Sequence, residues 1–185
     1  MNTTGKLLLG CLLATSTQIS LALELQSPDV SNQVRMKKQQ EYKGFGCDGG
    51  NISPALKWKD IPSGTKSFAL TIHDPDAPRK GGWWHWVVFN IPRDTRELPA
   101  NAGARSSGLM PEQAVQSKTD FGTGGYGGPC PPKGHGTHHY HITLHALDVE
   151  KLPLNADTPA TKVKSLIDQH RLADSTITGL YSRKD

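Results

Sequence analysis

Two stiff stretches of this 185-residue chain carry the side chains that could do chemistry. The first is Asp74-Pro75-Asp76-Ala77-Pro78, followed at once by Gly81-Gly82-Trp83-Trp84-His85-Trp86. Each proline fixes its own φ and extends the residue before it, so the two carboxylates sit on a rigid, non-helical segment. The second runs from Gly127 through Pro129-Cys130-Pro131-Pro132 to His138-His139-Tyr140, another Gly/Pro loop that ends in histidines and a tyrosine. Asp74, His85, His138 and Tyr140, walled by Pro78, Trp83, Pro131 and the Cys130 backbone, offer a carboxylate, two imidazoles, a phenol and N–H donors. Such a set can hold an anion on its donors while the carboxylate accepts from a cation, which suits a phosphate or a zwitterionic head group. Each residue also has a plainer use. Asp74 before a proline can cap a turn, and a single histidine is ordinarily a hydrogen-bonded core residue.

The elements that must position these groups are strands. From Lys66 to His73 the chain alternates, with Phe68, Leu70 and Ile72 on one side, and Asp74 continues that row. Trp84 to Ile91 places His85, Val87 and Phe89 on one parity, and Tyr140, Ile142, Leu144 and Ala146 form a third apolar row that His138 extends. An acid, an imidazole and a histidine–tyrosine pair are thus expected at the ends of three core-facing rows. Residues 23–42 read as an edge strand and loop, Ser53 to Trp58 as a further strand, and Pro92 to Pro111 as a long loop. One helix is expected, capped by Thr158 with Pro159 in its first turn and with Val163, Leu166, Ile167 and His170 on one face. Ser175 to Tyr181 reads as a last strand. The sum is a mainly β chain: an antiparallel β-sandwich with a C-terminal covering helix and long Gly/Pro-rich loops.

Residues 1–22 have Lys6, a leucine-rich run and small residues at Ser20 and Ala22, the pattern of a secretory signal, leaving 23–185 as a single domain in the periplasm or outside the cell. The run is too short and too interrupted for a membrane span, and Leu8-Leu9-Gly10-Cys11 lies too near the start to serve as a lipid-attachment box. Processing leaves 20 basic and 17 acidic residues without a basic stripe, so nucleic acid is not an expected partner. It also leaves two cysteines, Cys47 and Cys130. In an exported chain an even pair favours a disulfide over two buried thiols, worth about 4 kcal/mol on the chain-entropy account.

Gly122 to Gly127 matches the glycine spacing of a dinucleotide loop, but Pro129, Pro131 and Pro132 follow, so no helix can open there. Five histidines fall between His135 and His145, yet those sharing a strand face are about 7 Å apart with no Cys or Glu at ligand spacing, so neither a metal nor a cofactor is expected. No Ser or Cys sits in a nucleophile elbow, which argues against an enzyme and leaves slow hydrolysis as the alternative.

The Asp74–Pro78 motif, the Trp83–His85 unit running into Val87-Val88-Phe89-Asn90, and Gly128-Pro129-Cys130-Pro131-Pro132-Lys133-Gly134 through Tyr140 resemble, in order, the signatures of the phosphatidylethanolamine-binding proteins, nearest the bacterial branch called Raf kinase inhibitor-like. The resemblance spans about Leu25 to Tyr181. It implies that family's β-sandwich, an anion pocket at Asp74, Trp83, His85, the Cys130 backbone, Pro131, His138 and Tyr140, a homodimer, and possible modulation of a partner such as a kinase. Where many members have arginine between the last histidine and the tyrosine, this chain has His139. If His85 and His138 hold the anion as imidazoliums, binding weakens as pH rises from about 6 to 8; burial opposes that and leaves neutral imidazoles.

Overall fold

The structure, a computed structural model, describes residues 22–184. The expected signal sequence and the Cys11 box therefore lie, save for Ala22, outside the described residues. Strands β1 (Glu24–Gln26) and β2 (Val34–Arg35) precede the hairpin β3 (Lys43–Gly44) and β4 (Cys47–Asp48), then β5 (Leu56–Lys59). The long strands β6 (Ser67–Asp74) and β7 (Trp83–Pro92) lead through the short β8 (Glu97–Leu98) and β9 (Val115–Gln116) to β10 (His138–Leu147). Helix α1 (Ala160–His170) and β11 (Arg171–Tyr181) end the chain.

A six-stranded sheet in the order β2-β11-β10-β6-β7-β9 faces a three-stranded sheet, β1-β5-β8. Every neighbouring pair is antiparallel except β2 against β11. Phe68, Leu70 and Ile72 of β6 and Tyr140, Ile142 and Leu144 of β10 fill the space between the sheets against Leu25, Leu56, Trp58 and Leu98. The other face of the large sheet, at Ala69, Val87 and Phe89, packs on Ala160, Val163 and Ile167 of α1. The β-rich sandwich with one covering helix matches the expectation from periodicity. Among the described residues, no helix is long and apolar enough to cross a membrane.

The structure corrects four local expectations. Pro159 is the N-cap of α1 and no side chain caps it; the Thr158 hydroxyl bonds Asn155 instead. The last strand starts at Arg171, because α1 feeds straight into it. The segment 23–42 supplies more core than its polarity suggests, burying Leu23, Leu25, Val30 and Met36. Most consequentially, β7 carries two bulges. Ile72 pairs with Trp86 and His73 with Trp84, leaving His85 unpaired, and Asn90, at φ 58°, falls at the second irregularity. An extra residue in one strand reverses the alternation beyond it. His85 therefore lies on the inter-sheet side with Trp86, while Val87 and Phe89 turn to the helix. His85, Val87 and Phe89 do not share a face.

Candidate functional site

The three long strands end together at one rim of the sandwich, where a cavity of about 190 Å³ opens. All eight residues singled out in the sequence line it: Asp74, Pro78, Trp83, His85, Cys130, Pro131, His138 and Tyr140. Asp74 ends β6 and serves both its readings. Its Oδ1 accepts from the Asp76 N–H at 2.9 Å, closing the turn, and its Oδ2 lies 2.7 Å from Nδ1 of His138, with both side chains almost wholly buried. Gly82 closes the same turn at φ 72°, where a Cβ would lie 2.3 Å from the Asp74 carbonyl oxygen. Glycine is the residue that fits such a backbone.

The two histidines are differently engaged. The ring of His138 is held at both ends, since its Nε2 lies 2.8 Å from Nδ1 of the exposed His135. It keeps no free donor for an anion. His85 bonds the Gly127 carbonyl through Nδ1 at 2.7 Å. A carbonyl only accepts, so Nδ1 carries the proton. Burial pushes the pKa of His85 down to about 4, against the opposing pull of the Gly127 carbonyl and of Asp74. Burial thus prevails over the charged-imidazole expectation at this residue. The Tyr140 hydroxyl, pushed up by burial and then by the adjacent Asp74 carboxylate, makes no hydrogen bond of regular geometry, and the buried Trp83 Nε1 has no partner either. Buried donors without a protein partner are uncommon, and although Trp58 Nε1 and the Gln40 amide are unpartnered away from the cavity too, these two lie in its wall, where a ligand can meet them.

Asp74→Ala is expected to destabilise the protein by about 3 kcal/mol, because it leaves the His138 Nδ1–H buried without an acceptor and also opens the turn. Asp74→Asn keeps an amide oxygen at that place and should recover about half of the loss. Urea unfolding of the three proteins checks this; equal losses in both variants would mean that the hydrogen bond contributes little.

Cys47 and Cys130 form the disulfide, with Cα atoms 6.1 Å apart, and so tie the β3–β4 hairpin to the prolines of the pocket loop. Sequence reasoning missed what this hairpin brings. Phe45 at its tip is exposed and lines the mouth, stacked on Phe121 at 5.9 Å, while Phe121 also lines the cavity 5.4 Å from the Trp83 ring. Ala77 and Pro132 complete the wall. An aromatic isolated among glycines, as in Gly44-Phe45-Gly46, has no strand to bury it and was the available signal. Arg183 was also missed; it donates to the Pro131 and Gly46 carbonyls at 2.7 Å each and clips the two loops together.

His139, the departure from the family pattern, faces Asp76 at 2.8 Å on the rim. Burial raises the Asp76 pKa, but hydrogen bonds from the His139 side chain and backbone outweigh it and hold the carboxyl below its usual range. His141 and His145 bond Thr178 and Thr71 separately, and no group of three or more potential metal ligands is gathered among the described residues.

A sandwich whose three central strands end at one aromatic, proline-walled cavity with unpartnered donors is the architecture of a binding module. Residues 26–182 match the family profile described as phosphatidylethanolamine-binding protein, and the chain belongs to that family. It is 42% identical over 163 residues to Escherichia coli K12 YbcL, covering 88% of this chain and 89% of that protein. It is 46% identical over 162 residues to YbhB of the same organism, covering 86% of this chain and all of the relative. The crystal structure of E. coli YbcL, described as a member of the mammalian PEBP family, superposes with a TM-score of 0.87 at 41% identity, covering 89% of this chain and 100% of that one.

Proposed function

We propose that this protein is an exported binding protein whose pocket takes a small anionic or zwitterionic ligand, a phosphate or phosphoethanolamine head group, and releases it unchanged. The observation that carries this is the pair of buried, unpartnered donors, Tyr140 Oη and Trp83 Nε1, in the wall of a cavity that also holds the Asp74–His138 pair. A head-group phosphate supplies acceptors for the donors, and an ammonium supplies donors for a carboxylate. Turnover has little support, since Cys130 is bonded to Cys47 and, among the described residues, no serine lines the cavity. Residues 1–22 direct export, and two copies pair as a homodimer. A second reading, a partner protein such as a kinase seated over the mouth, is favoured by one observation, the exposed Phe45 ring at the rim.

Titration with phosphoethanolamine, followed by the tryptophan fluorescence to which Trp83 in the cavity wall contributes, tests the pocket. Saturable quenching at millimolar ligand or below is expected for the native protein, with at least a tenfold loss of affinity in His85→Ala. No response in either protein would remove the binding reading and leave the partner-protein reading.

A further inference from the structure

The outer face of the large sheet, where α1 packs, carries a second groove of about 230 Å³ that shares no lining residue with the rim pocket. Its floor follows from the strand register. Thr143 of β10 pairs with Thr71 of β6 and Thr176 of β11, His141 pairs with His73 and Thr178, and directly opposed residues share a face. The Thr143 and Thr176 hydroxyls lie 2.9 Å apart, and Thr71 meets Nε2 of His145 at 3.1 Å. α1 packs on Ala69, Val87 and Phe89 and reaches the groove only through Lys164, so the helix puts no apolar side chain over it. His145 is 1% exposed and lines the groove, yet its Nδ1 has no hydrogen-bond partner among the described residues. Like the donors of the rim pocket, it lies in a wall where a ligand can meet it.

Charge restricts the occupant. Lys164 is paired with Asp168 and Arg171 with Asp174, each at 2.6 Å, so neither cation is free to neutralise an anion. Burial pushes His145 down to about 4, with the Lys164 charge adding to it, and holds His141 below the ordinary imidazole range, so neither supplies a positive charge at pH 7. What remains are groups that donate and groups that accept: the free N–H groups of Lys164 and Arg171, the second carboxylate oxygen of Asp174, and the threonine hydroxyls. Trp84 adds apolar ring surface at the His73 end. From His141 to His145 the floor runs about 14 Å, so the groove is long for its volume. β6 and β10 are each paired on both sides, which leaves no free sheet edge here for a peptide backbone.

We infer that this groove is a second binding site, for a short neutral oligosaccharide. Sugar hydroxyls donate and accept at once, which suits Asp174 beside Arg171 and Lys164 at one end and the row of threonines in the middle. The C–H face of a sugar ring covers Trp84 at the other end. A sulfate or phosphate gains little, because it would have to displace Asp168 or Asp174 from its cation.

NMR titration of the native protein with cellotriose, maltotriose, chitotriose and sulfate tests this. At least one trisaccharide should shift the His141 and His145 ring signals and the Trp84 indole signal at millimolar concentration or below, leaving those of His85 and Trp83 unmoved. Asp174→Asn removes the acceptor and frees Arg171, so trisaccharide affinity should fall about tenfold, the worth of one hydrogen bond to a charged group, while sulfate affinity rises. Thr143→Arg lays a long side chain across the floor and should abolish trisaccharide binding, with the rim pocket's response to phosphoethanolamine unchanged. If Thr143→Arg fails to fold, Asp174→Asn, at an exposed position, decides alone. No shift with any of the sugars, shifts confined to His85 and Trp83, sugar affinity unaltered in Asp174→Asn, or sulfate binding the native protein more tightly than every sugar would each overturn the inference.

Discussion

Between pH 6.5 and about pH 4 the protein is expected to lose roughly 6 kcal/mol of stability, about 3 from each of two buried histidines. Burial pushes both His85 and His145 down to about 4, and at His145 the nearby Lys164 charge adds to it. The unfolded chain takes up these protons near pH 6.5, whereas the folded chain resists until about pH 4. Across that window the unfolded state therefore binds more protons, so stability is complete above 6.5 and falls as pH drops. Thermal unfolding at pH 7.5 and 4.5 should show a decrease in Tm of roughly 15 °C for a chain of this size. His145 lies far from the cavity and bonds Thr71 at 3.1 Å through Nε2. His145→Gln can keep that bond without titrating and should remove about half of the acid loss. If it removes none, the acid sensitivity resides in other groups.

Reducing the Cys47–Cys130 bond is expected to cost about 4.5 kcal/mol, from the entropy returned to an unfolded chain no longer closed over 83 residues. The site should feel it as well. The hairpin that carries Phe45 then depends on Arg183, with its two carbonyl contacts, to stay against the pocket loop. Urea unfolding with and without reductant measures the first effect, and the Cys47→Ser/Cys130→Ser double variant should reproduce it. An unfolding free energy unchanged by reduction would show that the loop closure contributes nothing. Adding Arg183→Ala to the double variant should weaken phosphoethanolamine binding further, because both tethers of the mouth are then gone.

Much of this protein was legible in the order of its residues, for a physical reason. Period-2 alternation is a local property, so the rows Phe68-Leu70-Ile72 and Tyr140-Ile142-Leu144 named the inter-sheet core, and their continuations at Asp74 and His138 named two walls of the cavity. Proline constraint is equally local, and it marked both loops of the rim. What tertiary structure decided lies where one segment's conformation depends on a distant one. The bulge at His85 exists because β6 and β7 pair in a shifted register, which no window of β7 encodes; the sequence sent His85 to the core by the wrong parity, and the bulge put it there on the opposite face from Val87 and Phe89. Phe45 and Phe121 meet across 76 positions of chain, and Arg183 reaches back to Gly46 and Pro131, contacts with no spacing to announce them. The protonation pattern was decided there too. Histidine by itself titrates near neutral pH, and only burial in the folded chain, which outweighs the pull of the Gly127 carbonyl and of Asp74, makes His85 a neutral imidazole.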